Sequence, residues 1–228
     1  MKDILYVGPS WTVKSWDLTE TNQSITNLNK LLNLKGIDLS ECGASNLSCL
    51  DKIHNYQQHY DAIFWVYCEP ILDAERLKIS RKSELIQTEN FWELRIDANQ
   101  QILDRISKLN IPVAIVGSHS DIFNCDYDNI FVIDRSWQRY LDSIINQNYH
   151  DDEKLKDGWG AEILHNYIHE YPEITPSKFI VDKISKTFFN WSLLMKHGLW
   201  FDTHPTRLGN ELFAKEINPK VQRWLDSL

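Results

Sequence analysis

A chain of 228 residues with a formal net charge of −8 and 43% hydrophobic residues is long enough to bury one large core, and its acidic balance leaves no basic face for counterion-driven nucleic-acid binding. No apolar run approaches the roughly 18 residues that span a bilayer, so neither a nucleic-acid nor a membrane partner is expected. The four cysteines, Cys42, Cys49, Cys68 and Cys125, form no C-x-x-C pair in a chain too large to need staples, which predicts buried free thiols and a reducing compartment.

Ile4 to Val7 read as a buried strand, β-branched and aromatic, cut off by Gly8-Pro9. It starts within three residues of Met1 with no signal-peptide pattern, so the expected location is cytoplasmic. Ile25, Leu28, Leu31 and Leu32 recur at helical spacing and predict a helix ending near Asn33; a short strand follows near Ile37 to Leu39. Gly43 then marks a turn, and Ser45 caps a helix carrying Leu47, Leu50 and Ile53. Ala62 to Tyr67 are continuously apolar, as expected of a central strand covered on both faces.

Residues 70–90 are polar and mixed in charge, which predicts an insertion, either a short extra helix or a lid over a site. Phe91 to Leu109 read as a helix with Leu94, Ala98, Ile102, Ile106 and Leu109 on one face. A strand from Pro112 to Val116 ends at Gly117-Ser118-His119, and Ile130 to Ile133 form a last strand before a helix from Trp137 to Ile145. From about residue 158 the pattern is helical, over Gly160 to Glu170, Ser177 to Lys196 and Leu208 to Leu225. Alternating strands and helices predict a single domain over residues 1–228: a three-layer α/β/α sandwich around a doubly wound, parallel, five-stranded sheet of the flavodoxin-like type.

In such a sheet ligands sit at the carboxyl ends of the strands. There the chain places Ser10, Gly43, Cys68-Glu69 and Ser118-His119. The C-terminal stretch LWFDTHPTRLGNELFA adds Asp202 and His204 just before a helix that Gly209 lets pack closely. A carboxylate that near an imidazole can orient it, and the imidazole can then take a serine proton.

GPSW at the first strand end, CGAS after the second and DTHPTRLG near the C-terminus resemble the Ser, Gly and His blocks of the SGNH/GDSL hydrolase superfamily. The resemblance runs in order over nearly the whole chain on about a dozen residues. It implies Ser10 as nucleophile, His204 as general base, Asp202 as its orienting acid, and the backbone N–H groups of Ser10 and Gly43 as oxyanion donors. It implies no cofactor and no metal. Two departures stand out. Asp202-Thr203-His204 is one residue shorter than the usual D-x-x-H, and is similar to the block of SGNH-like proteins of polysaccharide O-acetylation. The third block lacks its Asn, because YCEP supplies none. Losing one oxyanion donor costs about 2.7–4 kcal/mol, roughly 10²–10³ in rate, and Asn46 is the candidate substitute.

The expected activity is that of a serine esterase acting on small acyl esters, acetyl above all, on carbohydrate. An O-acetyltransferase using the same triad, a non-catalytic carbohydrate-binding or assembly protein, and a zinc-dependent hydrolase using the 162–170 helix are the alternatives. His119 is placed to line the pocket, and Trp11 and Trp16 to stack on a sugar ring or acyl group, although each also reads as ordinary strand-end or core residue. Ser10 alone reads equally as a helix cap, and Asp202 as a loop carboxylate. His165 and His169 share a helix face as zinc ligands do, but Asn166 stands where H-E-x-x-H enzymes place their glutamate, and such spacing arises by chance in a polar helix.

Overall fold

The computed structural model describes residues 2–9, 28–118, 122, 125–134, 136–145, 161–201 and 204–228. Five strands form its main sheet: β1 (Ile4–Val7), β2 (Gly36–Asp38), β3 (Ala62–Tyr67), β4 (Val113–Gly117) and β5 (Ile130–Asp134). They lie in the order β2-β1-β3-β4-β5, every neighbouring pair parallel. This is the strand order of flavodoxin-like doubly wound sheets, so the expected fold is the observed one. Every position of β1, β3 and β4 is buried, as both-face coverage requires. The short edge strand β2 is exposed throughout.

The side-chain period of two sorts each strand's residues between two cores. Ile4, Tyr6, Phe64, Val66, Ala114 and Val116 face one side. There they meet α1 (Leu28–Leu31), α5 (Trp137–Ile145), α6 (Ala161–Glu170), α7 (Lys178–Lys196) and α8 (Arg207–Ser227). Leu5, Val7, Ile63, Trp65, Val113 and Ile115 face the other, against α2 (Asn46–Asn55) and α4 (Phe91–Ser107). The helices start where their caps dictate: Ser45 forms a capping box with Ser48 before α2, Ser177 accepts from Ile180 N–H before α7, and Thr206 accepts from Gly209 N–H before α8.

Residues 70–90 hold a 3₁₀ turn (Pro70–Asp73) and a short helix α3 (Lys82–Leu85). Ile71, Ala74, Leu85 and Ile86 are buried in the core, which ties the segment down despite its polar composition. The thiol expectation needs correction. Cys49 and Cys68 are buried, but Cys42 is exposed in its loop and Cys125, in the loop before β5, is half-buried against the second core; all four are free. No helix among the described residues is long and apolar enough to cross a membrane.

Candidate active site

Because all five strands run the same way, their carboxyl ends share one edge. At β1 the chain continues through buried Gly8 and Pro9. The segment after β2 runs on alongside it, with Leu39 N–H donating to Tyr6 O at 2.9 Å and Glu41 N–H to Gly8 O at 3.1 Å. Gly43 follows in a turn closed by Ala44 N–H to Glu41 O at 3.1 Å. Its φ of 75° is open to glycine at little cost, and it is exposed beside the β1 end.

Asn46 is tied to the end of β3. Its Nδ2 donates to Cys68 O at 3.0 Å, and its Oδ1 accepts from Cys68 N–H at 2.9 Å and Trp65 Nε1–H at 3.3 Å. The residue is 0% exposed. The amide thus completes the backbone hydrogen bonding at the end of β3, and these bonds use one of its two Nδ2 hydrogens.

Two further polar residues at the β3 end, Asp73 and Arg95, were missed from the sequence, and Glu69, expected there, is buried. Asp73 accepts from Ser45 Oγ at 2.6 Å and from Leu47 N–H at 3.1 Å, so the chain's own carboxylate occupies the α2 N-terminus. Burial raises its pKa above the ordinary carboxylate value despite these bonds. Glu69 accepts from Arg95 Nε at 2.8 Å, with both side chains buried. The one available signal was Arg95 itself, which shares a helical face with the apolar Phe91, Ala98 and Ile102.

At the β4 end Ser118 is fully buried and pinned. Its Oγ donates to Tyr67 O at 2.7 Å, and its carbonyl accepts from Gln138 N–H at 3.1 Å and Ser136 Oγ at 3.2 Å. His119 lies outside the described residues, as do Ser10, Trp11, Trp16 and Asp202.

His204 is described. It pairs with Phe201 across a two-stranded antiparallel ribbon, β6 (Trp200–Phe201) with β7 (His204–Pro205), directly before α8. Helix α8 runs antiparallel to the sheet strands, as its contacts show in turn. Lys2, before β1, donates to Leu228 O at 2.9 Å; Lys220 pairs with Asp134 at the end of β5 at 2.8 Å; Phe213 stacks on Trp137, past that end, with centroids 4.7 Å apart. The N-terminus of α8, and with it half-buried His204, therefore stands on the side of the carboxyl edge. Two details fix that start. Thr206 Oγ1 donates to Gly198 O at 2.6 Å. A Cβ on Gly209 would lie 2.5 Å from Leu199 O, so only glycine allows this approach.

Two cavities lie away from this edge. One, of about 350 Å³, is lined by Pro112, Asn129 and Trp224 at the opposite edge of the sheet. The other, of about 290 Å³, lies between α2 and α4. We assign neither to the candidate site, because the chemistry-bearing strand ends do not line them.

A scan of protein-family models and a search of curated protein sequences match nothing to this chain. Among solved structures it is similar to the crystal structure of protein YxiM from Bacillus subtilis, at 14% identity and a TM-score of 0.45. That alignment covers 98% of this chain and 57% of YxiM, so the chain spans little more than half the length of that neighbour.

Proposed function

We propose that the chain is a serine ester hydrolase of the SGNH type. Ser10 is the nucleophile, His204 the general base and Asp202 the group that orients it. The observation that carries this reading is the course of α8, which brings His204 to the side of the sheet where β1 ends, three residues before Ser10. Ser10 Oγ attacks the ester carbonyl as His204 accepts its proton. The tetrahedral intermediate collapses to an acyl-enzyme, the leaving alcohol takes the proton from His204, and water, deprotonated by the same imidazole, releases the acid. Gly43 N–H and Ser10 N–H are the oxyanion donors in this reading. YCEP supplies no third-block Asn, and an oxyanion left to these two backbone donors predicts slow turnover. Acetylated carbohydrate is the substrate class we favour, from the block resemblance.

The absent third-block Asn favours a second reading, a non-catalytic carbohydrate-binding protein on this scaffold. An O-acetyltransferase differs only in that a sugar hydroxyl replaces water. Hydrolysis of p-nitrophenyl acetate separates these readings. The esterase shows turnover that falls about 10³-fold or more in His204→Ala, as loss of a triad member does. A binding protein shows the same background rate in both, and a transferase shows turnover that rises with added acceptor glycan.

A further inference from the structure

His165 and His169 are four residues apart on α6, which stacks them on one helix face. Their Nε2 atoms are 3.1 Å apart, with the ring planes at 85°. His165 also meets Phe188 of α7 edge-on, at 5.4 Å between centroids, and Phe188 is held in turn against Trp191 at 5.3 Å. One imidazole is thereby braced by packing while the other is exposed to solvent.

We propose that this pair binds one first-row divalent transition-metal ion, such as zinc, through both Nε2 atoms. Imidazole nitrogens bind zinc at about 2.0–2.1 Å, so two of them on one ion stand about 3.3 Å apart at a tetrahedral angle and about 2.9 Å apart at a right angle. The observed 3.1 Å lies between these, so the spacing suits one ion, and binding turns the rings until both lone pairs point at it. In the ion-free chain the same gap is bridged by an N–H of one ring donating to the other. The ion replaces that hydrogen bond, and each ring then carries its proton on Nδ1. The adjacent Glu170 is engaged by Lys82 at 3.4 Å. Among the described residues no third His, Cys, Asp or Glu joins the pair, and the proposal gives the remaining coordination positions to water. The site is thus open and exchangeable, unlike a closed four-ligand structural site. It stands on a different helix from the groups assigned to ester hydrolysis and is independent of that reading.

The test is calorimetric titration of the metal-stripped full chain with zinc chloride in a non-coordinating buffer near neutral pH, with cobalt(II) absorption as a second readout. Loss of an outer-shell partner alone costs about 10–100-fold in metal affinity, and loss of one of two direct ligands costs at least as much. One saturable equivalent is expected in the wild type, weakened at least tenfold in both His165→Ala and His169→Ala and unchanged in His197→Ala and His54→Ala. His169 is exposed, so its substitution leaves the fold intact and is the cleaner variant. Wild-type affinity in His169→Ala, or no saturable binding by the wild type below millimolar zinc, overturns the proposal.

Discussion

Arg95 Nε donates to Glu69 Oε1 at 2.8 Å with the two side chains 1% and 0% exposed, at the end of the central strand β3. The same oxygen accepts from Ile71 N–H at 3.3 Å, and the guanidinium lies over the Trp92 ring at 5.2 Å. The pair thus joins the loop after β3 to helix α4. Removing one partner strands the other charge in a medium that cannot solvate it, so Arg95→Met is expected to cost about 3–5 kcal/mol. Replacing both residues by apolar ones of similar volume recovers much of that loss. Urea unfolding of the two variants checks both statements; a single variant as stable as the wild type contradicts them.

Asp142 on α5 has its Oδ1 buried, with no hydrogen-bond partner among the described residues. Burial pushes its carboxyl from 3.8 up to about 7. Between those values the native state holds a proton that the unfolded chain has released. Stability therefore falls as pH rises from about 4 to about 7, by about 4 kcal/mol at most, and is unaffected by this group below that window. Asp142→Asn, which cannot ionise, is expected to be more stable than the wild type at pH above about 7 and to flatten the profile. Denaturant unfolding on both sides of the window measures this; identical profiles contradict it.

Gly209→Ala forces a Cβ to within 2.5 Å of the Leu199 carbonyl. Either the start of α8 moves or the ribbon that carries His204 does. An overpacking cost of about 1–3 kcal/mol is expected, and, on the proposed mechanism, turnover falls even where the variant remains folded. Thermal unfolding together with ester hydrolysis separates the two effects.

The frame of this molecule is written locally. Ala62 to Tyr67 are apolar without a break, Ser45 and Ser48 cap their own helix, and Leu47, Leu50 and Ile53 repeat at helical spacing, so neighbouring residues alone specify those elements. The polar groups around the β3 end were not legible in the same way. Asn46 meets Cys68, and Asp73 meets Ser45, across more than twenty residues of chain. Their burial depends on partners that only the assembled sheet edge supplies. The short extra helix read from residues 70–90 is there as α3, but the few apolar anchors among many charges that decide where the segment lies were not read out. Arg95 is the instructive case: a cation on the apolar face of a helix was a visible anomaly, and it marked a buried ion pair.

The central claim is that Ser10 is a nucleophile activated by His204. Labelling the intact chain with a fluorophosphonate and locating the adduct by mass spectrometry tests it most directly, because the probe reports nucleophilicity whatever the natural ester. The account predicts one phosphonylated residue, Ser10, with labelling lost in Ser10→Ala and strongly slowed in His204→Ala. An unlabelled chain, or a label that persists in Ser10→Ala, contradicts it.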